Sequence, residues 1–237
     1  MKRKVKAISR IARIKMSNLP DDDIRFSQHK IEKYLDENFT EPGTFLEIGC
    51  WNGEIISQTL YLEREKGWTG LCVDPFPSNF EQRQCKLCQK AVSLDGLPRA
   101  FIKVSIDRRY GGDVSYFSGF KDRLAAHWPL IVEFCDYEEV QVETITFTQL
   151  CADYAMPKHI EFLSVDVEGA ELEIFKSIDF SQYSFGLIVF EHNEDPMVRE
   201  QVGEILCRNG YALLASLRVD DIYYRPSADS NCNKSEL

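Results

Sequence analysis

Three short stretches of the chain place acids and glycines where they could do chemistry. The first is Glu47-Ile-Gly-Cys-Trp-Asn-Gly-Glu54, which follows the apolar run Phe45–Ile48. Gly49 and Gly53 let the backbone turn sharply and approach a ligand closely. Glu47 places a carboxylate inside an otherwise apolar strand, and a buried carboxylate is expensive unless it meets a cation or strong donors. The amino group of a methionine moiety is one such partner, and a nearby Lys or Arg is the other. The second stretch ends at Asp74-Pro75, 25 residues beyond Gly49. An acid at about this spacing past a glycine turn can accept both hydroxyls of an adenosine ribose. The third set is Asp166 and Glu168, together with Glu191-His192-Asn193.

The glycine spacing separates two nucleotide classes. A nicotinamide dinucleotide turn reads G-x-G-x-x-G, with the extra glycine making room for a pyrophosphate. Trp51 occupies that position here. Glu47 and Asp74 with this non-dinucleotide turn favour S-adenosylmethionine. The expected cofactor residues are Glu47, Gly49, Asn52, Gly53, Glu54, Asp74, Pro75 and Asp166. Val92 and Ser93, at the end of a third strand, are expected against the adenine.

Methyl transfer from a sulfonium is an in-line displacement, so the protein must align acceptor and donor and often takes a proton from the acceptor. Asp166, Glu168, Glu191, His192 and Asn193 are expected to converge at two strand ends beside the transferred methyl. Two schemes compete. In one, His192 or Asp166 is the general base, with Glu191 beside it, an imidazole titrating near working pH. In the other, Asp166 with Glu191 or Asn193 holds a Mg²⁺ that lowers the pKa of an acceptor hydroxyl. The metal-free base is the preferred scheme. Glu168 and Glu171 have a plainer reading as acids favoured at a helix N-terminus.

The elements that must position these residues alternate. Strands are expected at 45–48, 71–73, 90–92, 160–165 and 185–190, with helices near 55–66, 79–86, 171–178 and 197–209 between or after them. A helix led by Asp21-Asp22-Asp23 precedes them, and 211–217 with 222–224 reads as a closing antiparallel hairpin. This pattern predicts an α/β fold, Rossmann-like, with a mostly parallel seven-stranded sheet and a C-terminal antiparallel hairpin. Phe101–Ile106 and Val140–Phe147 are expected as further strands, Thr148–Tyr154 as a short helix. Tyr110–Phe120, rich in Gly, Tyr and Ser, is expected to be an acceptor-side lid loop, and His127 and Trp128 to be packing residues.

The segments taken in order resemble the FkbM family of methyltransferases. Phe45–Glu54, Gly67-Trp-Thr-Gly-Leu-Cys-Val-Asp-Pro75, Ala91-Val-Ser93, Val142–Leu150 and Phe162-Leu-Ser-Val-Asp-Val-Glu-Gly-Ala-Glu171 carry the resemblance, which runs from about 43 to 225. Leu62-Glu-Arg-Glu-Lys-Gly-Trp68 is similar to a subset of that family, some members of which have Glu at position 74. The resemblance implies a class I methyltransferase fold and methyl transfer, usually to oxygen, on small molecules or sugars. A nicotinamide-dependent oxidoreductase and a non-catalytic S-adenosylmethionine-binding protein are the alternatives.

Composition narrows the partners. The formal charge of −10 combines seven Lys/Arg and no acid in residues 2–15 with −17 over the remainder. So acidic a body does not suit a nucleic-acid enzyme that grips phosphates over a broad face. Residues 1–20 are expected as a basic arm, with Ile8, Ile11 and Ile14 at helical spacing allowing weak peripheral membrane contact through 2–15. Residues 21–226 form the expected methyltransferase domain and 227–237 a disordered tail. No apolar run approaches the roughly 20 residues of a membrane span, and no secretory signal is evident, so a cytoplasmic protein is expected. Eight scattered cysteines do not make a disulfide scaffold, and Cys85-Lys-Leu-Cys88 lacks the second pair that structural zinc needs.

Overall fold

In a computed structural model the fold is described for residue 27 and residues 31–226. The basic arm, the Asp21–Asp23 cap and the tail lie outside these residues. The element order is α1 (Glu32–Asn38), β1 (Thr44–Ile48), α2 (Leu60–Lys66), β2 (Thr69–Val73), β3 (Lys86–Cys88), β4 (Ala91–Val92), β5 (Arg99–Asp107), β6 (Gly112–Asp113), β7 (Gly119–Phe120), α3 (Trp128–Phe134), β8 (Cys135–Val142), β9 (Thr144–Ile145), α4 (Phe147–Asp153), β10 (His159–Val165), α5 (Glu171–Ser177), β11 (Ser184–Glu191), α6 (Pro196–Arg208), β12 (Ala212–Leu217) and β13 (Asp220–Tyr224).

The principal sheet has seven strands in the order β12-β13-β11-β10-β1-β2-β3. Pairings from β3 through β11 are parallel, and β13 runs antiparallel to both β11 and β12. The sheet is therefore mixed but mostly parallel. Its core strands are continuous apolar runs because both faces are covered. Side-chain alternation splits them: Leu46, Ile48, Leu71, Val73, Leu163 and Val165 enter one core, and Phe45, Cys72, Phe162, Leu187 and Val189 the other. Glu47 lies on the second face, opposite Cys72 and Ser164 in the two neighbouring strands. The chain leaves β1 towards β2 on one side and reaches β10 on the other. That reversal beside β1 is where ligands bind in open α/β sheets.

Four local expectations need correction. The helix expected from Ile55 begins only at Leu60. Ile56 has a positive φ of 55°, and residues 57–59 turn their donors back towards Glu47 instead of entering the helical ladder. The helix expected over 79–86 is a single tight turn, Phe80–Gln82. The third strand of the main sheet is Lys86–Cys88, whereas Ala91–Val92 pairs with β9 in a separate two-stranded ribbon. Finally, Tyr110–Phe120 is folded rather than a free loop. β6 and β7 pair with β5, and Val114 and Phe117 are buried with Ile102, Val104 and Ile131 in a core of their own. This β5–β8 insertion stands over the carboxyl ends of the main strands.

Candidate active site

A cavity of about 760 Å³ opens at the carboxyl ends of β1, β2 and β10, beneath the β5–β7 insertion. That is within the range of small-molecule sites, roughly 300–1,000 Å³. Of the residues singled out from sequence, Glu47, Gly49, Asp74, Pro75, Val92, Asp166 and Glu168 line it. Asn52, Gly53, Glu54, Ser93, Glu191, His192 and Asn193 do not.

The first turn is fixed by backbone geometry. Gly49 has φ +89°, its N–H donates to Val73 O at 2.8 Å, and a Cβ there would lie 1.6 Å from the backbone oxygen of Asp166. Only glycine fits so close an approach. Gly53, at φ +67°, meets the Phe80 ring in the same way. Asn52 is buried and accepts from the N–H groups of Glu54 and Ile55, which makes it a brace of the turn. Glu54 points outward to Arg64 at 3.2 Å.

Asp74 is half-buried in the cavity wall. Its Oδ2 accepts from the Trp51 N–H at 2.9 Å and its Oδ1 from the Phe76 N–H at 2.8 Å. Each carboxylate oxygen has a second lone pair to offer. Loss of solvent raises the carboxyl to about 6 against the pull of those two N–H groups, and the Glu47 charge adds to the rise. Trp51 itself is held by a bond from its Nε1 to Ser115 Oγ at 2.7 Å and by edge contact with Tyr116 at 5.3 Å. The first turn and the insertion are thus tied together. Ser93, by contrast, bonds Thr144 Oγ1 and accepts the Gly96 N–H, fastening the β4–β9 ribbon.

Glu47 sits in a dense network. It accepts from the Gln58 N–H at 2.8 Å, from the Ser57 hydroxyl at 3.1 and 3.3 Å, and from the Thr59 hydroxyl, with the Cys72 thiol at 3.5 Å. Behind this shell lies Arg83. Its guanidinium donates to Gly53 O at 2.6 Å, Ser57 Oγ at 3.2 Å and Thr59 Oγ1 at 2.9 Å, and pairs with Glu63 at 3.2 Å. Of the two partners considered for Glu47, the arginine is present, one hydroxyl layer away. Burial drives the neighbouring Cys50 thiol up to about 12.

At the opposite end, Asp166, Glu168 and Glu191 each present an oxygen, all within 4.8 Å of one another. Such a set could hold a divalent cation. Glu168 has a strained φ of +55° and stands 2.9 Å from His127 Nε2 of the insertion. Glu171 lies below, fully buried and pushed up to about 7. Burial outweighs the Val167 and Gly169 N–H groups that it accepts from, and the Glu191 charge adds to the rise. His192 is turned elsewhere. Its Nδ1 accepts the Glu194 N–H at 3.1 Å, and its Nε2 is 3.7 Å from Asp221, which Arg199 already grips with two bonds. Burial lowers its pKa against the opposing pull of Asp221. A histidine outside the cavity wall is poorly placed as the base, because a base must reach the proton it abstracts.

Gln58, Phe76, Arg83 and the contact of His127 with Glu168 carry no motif in the sequence. Trp51 served only to exclude a dinucleotide turn. A large aromatic between two turn glycines was the signal that it holds something in place.

No curated protein and no solved structure matches the chain. A family model described as the methyltransferase FkbM domain matches residues 47–213. That span runs from the first acid of the cavity through its far wall and covers most of the chain, so the chain belongs to the FkbM methyltransferase family.

Proposed function

We propose that this protein is an S-adenosylmethionine-dependent methyltransferase of Rossmann-like class I architecture. Its acceptor is a hydroxyl oxygen of a small molecule or sugar. The reading rests above all on Asp74, held by two backbone N–H groups at the rim of a cavity that continues to Asp166 and Glu168. In this reading its two oxygens take the ribose hydroxyls, Phe76 and Val92 flank the adenine, and the Gly49 turn passes under the donor.

The acceptor oxygen attacks the methyl carbon as the carbon–sulfur bond breaks. The acceptor proton passes to a carboxylate, and the products are a methyl ether and S-adenosylhomocysteine. Asp166 is the base in this reading, because it lines the cavity where His192 does not. Positioning, together with timely proton removal, supplies the rate. A second scheme, with Mg²⁺ on Asp166, Glu168 and Glu191, is favoured by their shared oxygen cluster. Bound there, the ion would lower the pKa of the acceptor hydroxyl.

Calorimetric titration with S-adenosylhomocysteine and with NAD tests the cofactor. Binding of NAD without binding of S-adenosylhomocysteine overturns the reading. A mass-shift screen of metabolite and sugar pools with isotopically labelled methyl donor then identifies the acceptor. Activity that survives thorough EDTA treatment eliminates the Mg²⁺ scheme.

A further inference from the structure

Glu47 is the acid that sequence logic assigns to the donor's amino group, yet its lone pairs are already engaged. An ionised carboxylate offers about four acceptor sites. Donors of the chain itself meet them: the Gln58 N–H, the hydroxyls of Ser57 and Thr59, and the Cys72 thiol. Its charge faces Arg83 across those same hydroxyls. A ligand ammonium would have to displace a finished network.

Gln58 offers the opposite situation. The residue lines the same cavity beside Glu47 and is only 7% exposed, and its amide oxygen is buried with no hydrogen-bond partner. Buried amide oxygens are almost always bonded, so an open one on a residue of a ligand-sized cavity wall is an acceptor that a turn of its side chain would offer to a ligand's donor. The residue is also held still. Its own N–H is anchored on Glu47, and Ser57 and Thr59 on either side are bonded to the same carboxylate.

We propose that the Gln58 amide receives the amino-acid head of the methyl donor, its carbonyl oxygen accepting from the α-ammonium. This rests on the S-adenosylmethionine reading above. With the ribose at Asp74, the amino-acid chain crosses the Gly49–Cys50 turn to the β1 side, where Gln58 waits. An amide suits a zwitterion, because it carries an acceptor for the ammonium and a donor for the carboxylate without repelling either. Glu47 then acts as a positioning residue: it sets the backbone from which Gln58 projects.

Titration of two nucleosides tests the assignment. S-adenosylhomocysteine carries the amino-acid head, and 5′-methylthioadenosine keeps the adenosine and sulfur without it. The intact protein should prefer the former. In Gln58→Met, affinity for S-adenosylhomocysteine should fall about tenfold to a hundredfold, as expected for losing a bond to a charged group, while 5′-methylthioadenosine binds as before. Unchanged affinity for S-adenosylhomocysteine, or an equal loss for both nucleosides, overturns the proposal. If Gln58→Met does not fold, the intact protein decides with S-adenosylhomocysteine in which hydrogen replaces the amino group. A loss of tenfold or more supports an ammonium site and no loss overturns it. If neither nucleoside binds the intact protein, the methyl-donor reading itself falls.

Discussion

The two ends of the cavity arrange their acids differently. At the β1 end a single carboxylate, Glu47, is wrapped by hydroxyls and a backbone N–H and backed by a fully buried guanidinium. At the β10–β11 end three carboxylates, Asp166, Glu168 and Glu191, crowd together. The first arrangement is structural: its charge is compensated inside the chain, and it freezes a turn. The second gathers three acid side chains beside the strand ends, with His127 against Glu168, where the proposed reaction calls for a proton acceptor or a cation ligand. Burial alone does not distinguish function from framework, since Glu47 and Glu191 are equally inaccessible. The surroundings of the charge do.

The largest effect should come from unbalancing the β1 end. Arg83→Met leaves Glu47 and Glu63 without their buried cation and should destabilise the protein by about 3–5 kcal/mol, read from urea unfolding. A loss under about 1 kcal/mol would mean that the hydroxyls alone hold Glu47. The reverse is expected at the other end. Once the acceptor is found, Asp166→Asn should lower turnover by about 10²–10⁴ while folding stability and S-adenosylhomocysteine affinity stay near those of the intact protein. Equal losses in turnover and stability would place Asp166 with the framework.

The pattern of what sequence revealed follows the same division. β1, β2, β10, β11 and the closing hairpin are legible because they are apolar runs bounded by turn residues, and both cores then follow from alternation. Residues 55–59 and 79–86 are not. Their local pattern suits a helix, but Glu47 and Arg83 recruit the hydroxyls of Ser57 and Thr59, and Glu63 takes Arg83 and the N–H groups of Gln84 and Cys85, all through long-range bonds. Arg83 lies 36 positions from Glu47, and no local spacing links the two. The acids of the β10 end were legible as a group. The orientation of His192 was not, since it depends on Asp221 and Arg199 of later elements.

Between the two ends, Asp74 should show an intermediate effect. Asp74→Asn keeps the shape but removes the charge, and should weaken S-adenosylhomocysteine binding about tenfold to a hundredfold. Unaltered binding would refute its ribose role. The smallest effect is a pH dependence. The ionised form of Asp74 is the better acceptor, and burial raises its pKa to about 6 in the unliganded protein. Affinity should therefore be full well above pH 6 and decline as pH falls through about 6, and Asp74→Asn should abolish that slope. A slope that persists in the variant assigns it to another group.

Under the proposed reaction, the contact of Gly49 with Asp166 would act as a gauge. β1 and β10 run in register from Phe45 with Phe162 to Ile48 with Val165, the Asp166 N–H closes on Ile48 O, and the missing Cβ of Gly49 lets the two chains touch. The spacing between the Gly49 turn and the backbone that carries Asp166 is therefore a property of paired main chain. In that reading, the roof strands β5 to β7 could change their side chains to admit different acceptors while the jaw beneath keeps the same width. Widening that jaw by a single methyl at Gly49 would spoil every acceptor alike.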